Sequence, residues 1–209
     1  LIVDTVINTF AKNEYGDWKT FFDAQSSECT TQDGVLPGGG GEVGGGEEGN
    51  LTCANCVSVQ GASFDHKGPG QGCDLSKSAE EIEYCQINNS VFASLEQIED
   101  SFSGSWRVNE LWPPTVRHSN SCHAAGTCVD AAPGNTTPAS LAAFINAARS
   151  AGLYPVWERN TIQTREQCES LLAEIESAGG EGAAIQYGLN VLPHFSLYSG
   201  GSGRTGCFN

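Results

Sequence analysis

The chain has 209 residues and a formal net charge of −15, from 25 acidic and 10 basic residues. This charge excludes a nucleic-acid-binding protein and electrostatic attachment to an anionic membrane, because both depend on Lys and Arg. Hydrophobic residues make up 39% of the chain, enough for a core, and no stretch approaches the roughly 18 to 20 apolar residues of a membrane-spanning helix. Methionine is absent, so we expect a soluble chain processed from a longer precursor.

Three segments precede the regular part of the sequence. Residues 1–36 begin with an approximate helical stripe of apolar residues, which predicts a helix that packs on the protein or docks onto a second copy or another partner. Residues 37–49 are glycine-rich and predict a flexible linker. Residues 50–90 contain four cysteines and few periodic apolar positions, which indicates an irregular segment stapled by disulfides.

Cysteines are the second global feature of the chain. Nine of them are spread along it, at positions 29, 53, 56, 73, 85, 122, 128, 168 and 207. In a processed, acidic chain they indicate disulfides formed in an oxidising compartment, so we expect a secreted or cell-surface protein. The odd number leaves at least one thiol free or bonded to another chain. A zinc site made of Cys53, Cys56, His66 and Cys73 is the weaker interpretation, because the spacing is irregular.

From residue 91 the hydrophobic pattern becomes regular and predicts a compact α+β domain over residues 91–209. The expected helices, judged by apolar stripes and by N-cap threonines at 137 and 164, are 91–102, 137–151 and 164–177. Alternation and flanking turn residues predict strands at 106–112, 127–131, 153–158, 183–187 and 193–198.

Two short blocks contain residues suited to a hydrolytic metal. His123 lies in a predicted turn and Asp130 on the strand that follows, with Gly126 allowing the chain to bend between them. His194 begins the last predicted strand. Two imidazoles and one carboxylate are the usual protein ligands of catalytic zinc, which lowers the pKa of the water in its fourth position toward about 7.

The pattern Ser121-x-His123-x-x-Gly126-x-x-x-Asp130, followed by Pro193-His194-Phe195, resembles the zinc D-Ala-D-Ala carboxypeptidase/endopeptidase family, peptidase family M15. Its wider superfamily includes the hedgehog signalling domain. The resemblance covers about residues 91–198 and implies a hedgehog/DD-peptidase-like fold with a small mixed or antiparallel sheet and flanking helices. It further implies Zn²⁺ bound by His123, Asp130 and His194, and peptidoglycan stem peptides or other short peptides as substrates.

The chain departs from this family at the general base. Many members carry Asp or Glu three residues before the last metal ligand, where this chain has Val191, which cannot transfer a proton. Glu158, at the end of the predicted 153–158 strand, is our first alternative, followed by Glu110 and His118. None of the three lies in a matching family motif.

Two further expectations concern the surroundings of the predicted ligands. The family uses an upstream arginine to hold the substrate carboxylate or the oxyanion, and Arg117 is the nearest candidate, with Arg107 second. Cys122 and Cys128 flank His123, and we expect them to form disulfides, with each other or with the cysteines at 73, 85, 168 or 207.

Three hypotheses therefore remain. The first is a secreted zinc peptidase acting on cell-wall peptides. The second is a non-catalytic domain with the peptidase fold, in an extracellular surface or appendage protein that self-associates through residues 1–36. The third is a disulfide-rich module without a metal. An acid close to the three predicted ligands would favour the first hypothesis over the second.

Overall fold

The computed structural model describes residues 51–73, 84–116, 118, 121–200 and 203–209. These residues belong to one compact unit, Glu47–Asn209. The predicted N-terminal helix and its docking role, the linker at 37–49, Cys29 and Arg117 lie outside the described residues. Within the described part, no helix combines the length and the apolar character needed to cross a membrane.

The described residues form an α+β fold with four helices. The helices are α1 (Asn89–Ser101), α2 (Ser121–Ala124), α3 (Pro138–Ser150) and α4 (Arg165–Ser177). The strands are β1 (Cys56–Ser58), β2 (Gln86–Asn88), β3 (Trp106–Glu110), β4 (Cys128–Pro133), β5 (Leu153–Glu158), β6 (Ala184–Gln186), β7 (His194–Ser199) and β8 (Gly206–Phe208).

The main sheet has six strands in the order β3-β4-β7-β5-β6-β8. β3, β4, β7 and β5 pair antiparallel with their neighbours, whereas β6 pairs parallel with both β5 and β8. The sheet is therefore mixed. β1 and β2 form a separate antiparallel pair.

The elements follow the sequence prediction closely where local signals are strong. Thr137 caps α3, and its side chain accepts a hydrogen bond from the backbone N–H of Ser140. Thr164 and Gln167 form the predicted capping box of α4. β8 was not predicted, because its residues follow a glycine-rich stretch and the strand depends on pairing with β6.

The core lies on the face of the main sheet against which α3 packs. The ring of Phe195 on β7 lies between Phe144 on α3 and Trp157 on β5, with centroid distances of 4.9 and 4.7 Å. All three side chains are fully buried. Phe64 and Ile87, from the cysteine-rich segment, belong to the same buried cluster. One continuous core thus supports the sheet from this side.

All eight cysteines in the described residues are paired. The disulfides are Cys53–Cys56, Cys73–Cys85, Cys122–Cys128 and Cys168–Cys207. The expectation of disulfides is confirmed. The alternative zinc site made of Cys53, Cys56, His66 and Cys73 is wrong for this structure, because its three sulfurs are bonded to other sulfurs.

Candidate metal centre

Polar side chains gather on the face of the main sheet opposite the core. Successive residues of a strand point to opposite faces, so the burial of Val129, Ala131 and Phe195 in the core directs Asp130 and His194 to the other face. We call this face the site face. Its polar residues are Glu110, Asp130, Glu158, His194 and Ser196.

A β-bulge brings Glu110 to the site face. Val108 pairs with Ala131, but the next pair is Glu110 with Asp130, so Asn109 is the extra residue. Directly opposed residues of antiparallel strands project to the same side of the sheet, so Glu110 projects with Asp130. Simple alternation from Val108 would have placed Glu110 on the core face, so the bulge is what brings this candidate base to the site face.

The loop before β4 positions His123. His123 lies in the short helix α2, and Gly126 then adopts a positive φ of 65°. A Cβ at Gly126 would collide with the Sγ of Cys53, so the position requires glycine for two reasons. The Cys122–Cys128 disulfide closes the loop around His123. The turn predicted from Gly126 is confirmed.

Two imidazoles converge on one oxygen of Asp130. The Nε2 atoms of His123 and His194 lie 3.6 and 3.8 Å from Asp130 Oδ1. His194 Nδ1 donates a hydrogen bond of 2.6 Å to the carbonyl of Leu192, because a carbonyl can only accept. The Nε2 of a neutral His194 therefore presents a lone pair to carboxylate oxygens. A shared proton or a metal ion between the ligand atoms would satisfy this arrangement.

The distances fit a tetrahedral metal. Zinc bonds of about 2.0 to 2.2 Å place two ligand atoms roughly 3.3 to 3.6 Å apart, which is within a few tenths of an ångström of the two observed separations. A second hydrogen bond that fixes the ring is typical of metal-binding histidines, and the Leu192 carbonyl supplies it for His194. Each of the two separations from Asp130 is therefore compatible with two ligands of one metal ion.

His123 is suited to bind a metal in its neutral form. Its side chain is 4% exposed, and burial lowers the pKa of the imidazole. Its Nδ1 has no hydrogen-bond partner and lies 4.0 Å from Glu110 Oε2. The unpartnered Nδ1 is thus on the side of Glu110, whereas Nε2 faces Asp130.

An acid lies beside the predicted ligands. Glu158 Oε2 is 3.6 Å from His194 Nε2, and Glu158 Oε1 is 3.1 Å from the hydroxyl of Ser196. Ser196 Oγ also lies 3.2 Å from Asp130 Oδ1. A hydroxyl has one proton, so both contacts are hydrogen bonds only when one carboxyl is protonated. Burial raises the pKa of Glu158.

A second acid–histidine pair borders the same site. Glu110 Oε1 accepts a 2.8 Å hydrogen bond from the backbone N–H of Thr115, and Glu110 Oε2 bonds His118 Nε2. Burial alone would raise the pKa of Glu110, but the hydrogen bonds from His118 and Thr115 outweigh it and lower the pKa to about 2. The same bond to Glu110 raises the pKa of His118. The His118 ring stacks on His123, with centroids 3.7 Å apart.

The structure also offers a second donor set. Glu110, His118, His123 and Asp130 each have a ligand atom, and these four atoms lie within 4.8 Å of one another. The set shares His123 and Asp130 with the predicted one. The described residues thus contain a cluster that could bind a metal, with two ligands common to both sets.

Two residues considered in the sequence analysis, Val191 and Arg107, have no place in the cluster of site residues. Val191 supplies only its carbonyl, which accepts from the backbone N–H of Asn160, and Arg107 is exposed on β3. Sequence reasoning missed Ser196 and Thr115. Ser196 was detectable, because it follows His194 by two positions on a predicted strand and so shares its face. Thr115 had no comparable signal, since it lies in a loop.

Comparisons of the chain with protein-family models, with curated proteins and with solved structures found no match.

Proposed function

We propose that this domain is a zinc-dependent, peptidase-like hydrolase that acts on short peptides such as peptidoglycan stem peptides, in a secreted or cell-surface protein. His123, Asp130 and His194 hold the metal. The convergence of both Nε2 atoms on Asp130 Oδ1, with Glu158 beside them, is the observation that supports this proposal most strongly. When bound, zinc lowers the pKa of water and polarises the scissile carbonyl.

Glu158 is the proton acceptor in this proposal. It lies directly opposite His194 in the β5–β7 pairing, so it occupies the neighbourhood of the last ligand although it is distant in sequence. Its raised pKa suits a group that first accepts a proton and then returns it to the leaving amine. The Ser196 hydroxyl holds one carboxyl oxygen and leaves the other toward the metal ligands. In this proposal Glu158, on the neighbouring strand, takes the role of the Asp or Glu that the resembling family has at the position of Val191.

His118 is the hydrogen-bond donor to the substrate oxygen that develops negative charge. Glu110 anchors its Nε2, and the ring is partly exposed, so substrate can reach it. Donors oriented in advance toward developing charge contribute strongly to catalysis. In this role His118 takes the place of the upstream arginine that the family uses. Arg117 is the other candidate for the same role.

The proposal is tested by hydrolysis of defined peptidoglycan stem-peptide fragments, followed by mass spectrometry, with zinc content measured on the same samples. Glu158→Gln is expected to retain zinc and to lower the rate by about 10² to 10⁴, the usual contribution of a general base. Glu169→Gln, at an exposed carboxylate that pairs with Arg165, is the matched control and should change neither value. A zinc-loaded protein that cleaves no fragment, or a Glu158→Gln variant at full rate, would contradict the proposal.

The non-catalytic domain remains the second candidate, because valine occupies the position of the usual base. It predicts a folded domain, with or without bound zinc, that cleaves no fragment, and a full chain that self-associates through residues 1–36. Analytical ultracentrifugation of the full chain and of a chain that begins at residue 37, over a wide concentration range, tests this. A monomer in both cases would count against it.

A further inference from the structure

The Cys122–Cys128 disulfide surrounds a ligand of the candidate metal centre. Cys122 directly precedes His123 in α2, and Cys128 begins β4, two residues before Asp130. The ligand atoms of Cys122, His123 and Cys128 lie within 4.8 Å of one another. Two sulfurs and one imidazole nitrogen form a soft donor set that suits zinc and Co²⁺. As long as the two sulfurs are bonded to each other, they cannot bind a metal as thiolates.

The position of this disulfide suits thiol–disulfide exchange better than stabilisation of the whole fold. It joins residues only six apart, whereas Cys168–Cys207 joins residues 39 apart, and chain-entropy stabilisation grows with the size of the closed ring. Cys128 is buried, but Cys122 is only partly buried, so a small thiol can approach one of the two sulfurs. The bond therefore constrains mainly the loop that presents His123.

We propose that the Cys122–Cys128 pair is a redox-controlled metal site that competes with the candidate metal centre for His123. In the oxidised protein His123 serves the set with Asp130. In the reduced protein Cys122 and Cys128 bind the metal together with His123. The thiolate site stands on its own geometry, and only the competition rests on the proposed function.

Reduction needs an external thiol, and the exchange balances in two steps. A first thiolate attacks one sulfur of the disulfide, forms a mixed disulfide and releases the other cysteine. A second thiolate then displaces the remaining cysteine, which leaves two protein thiols and one oxidised dimer of the reductant. Metal binding takes both sulfurs as thiolates and releases their two protons to solvent.

The two sets share the imidazole of His123. Cys128 and Asp130 project to the same face of β4 and lie two residues apart, which separates them by about 7 Å along the strand. Because His123 belongs to both sets, the set with which it binds the metal decides which site is filled.

Co²⁺ absorption tests the inference on the full-length chain. The oxidised protein is compared with protein that was reduced by a phosphine and freed of reductant under anaerobic conditions. We expect a sulfur-to-Co²⁺ charge-transfer band in the near ultraviolet in the reduced protein alone, with one Co²⁺ per chain. The band should be lost in Cys122→Ser/Cys128→Ser and kept in the matched Cys168→Ser/Cys207→Ser variant.

Other outcomes overturn the inference. No band in reduced wild type, or an undiminished band in Cys122→Ser/Cys128→Ser, refutes the thiolate site. A band that survives in reduced His123→Ala also refutes it, since thiolates of an unfolded chain would bind without His123. Two Co²⁺ ions per reduced chain refute the competition. If the proposed function fails instead, oxidised His194→Ala binds Co²⁺ as tightly as wild type while the band in the reduced protein is unchanged.

Discussion

His194→Ala should abolish the stabilisation of the protein by zinc. The side chain begins β7 on the site face, where it is 14% exposed, so its removal opens no cavity in the core. In the metal-free protein the change removes the hydrogen bond to the Leu192 carbonyl, which costs about 1 kcal/mol. The larger effect is the loss of one of the three proposed protein ligands to the metal.

The size of the effect follows from linkage. Zinc at about 100 times its dissociation constant stabilises the folded state by about 2.7 kcal/mol. In a folded unit of this size, Glu47–Asn209, 1 kcal/mol shifts the melting temperature by about 2–4 °C. Zinc should therefore raise the melting temperature of the wild type by about 5–11 °C. In His194→Ala the same zinc concentration should raise it by only about 1–2 °C if affinity falls 100-fold.

Thermal unfolding by calorimetry, first with a chelator and then with zinc, measures both values. His66→Ala is the matched control, because His66 is the one histidine of the four outside the site, and its zinc shift should equal that of the wild type. His118→Ala separates the two donor sets. A zinc shift that survives in His194→Ala but disappears in His118→Ala would refute the predicted ligands and favour the set with Glu110.

The remaining predictions concern the structure around the site. Gly126→Ala should cost about 2–4 kcal/mol in urea unfolding, because a positive φ and a collision with a disulfide sulfur add, whereas Gly152→Ala, with a positive φ but open space, should cost about 1 kcal/mol. If the two variants are equally stable, the collision is not real. Removing the 39-residue ring in Cys168→Ser/Cys207→Ser should cost about 4 kcal/mol; a loss below about 1 kcal/mol would contradict this. The folded pKa of Glu110, about 2, lies below its ordinary value of 4.5, so its stabilisation is present above pH 4.5 and is lost as the pH falls toward 2. Metal-free Glu110→Gln should therefore lose less stability than the wild type across that range, and parallel curves would refute the assignment.

Sequence reasoning succeeded where the information is local. Helix caps at Thr137 and Thr164 place hydrogen-bonding groups next to the backbone that they satisfy, so a few residues define the helix start. Gly126 likewise marked the turn behind His123. Local patterns did not predict β8, because this strand is defined by contacts with distant residues. These contacts are its pairing with β6 and the disulfide between Cys168 and Cys207.

The candidate ligands were readable from the sequence because residue type and spacing carry the chemistry of zinc. Glu158 was named from the sequence only as the first of three alternative bases, because it meets His194 across two antiparallel strands whose register no local pattern reveals. Glu110 reaches the same face only through the bulge at Asn109, which reverses the direction expected from alternation. The sequence by itself determined the helices, most strands and the residue types of a metal site. The tertiary structure decided which carboxylates stand beside that site, because sheet register is a property of strand pairs and not of single segments.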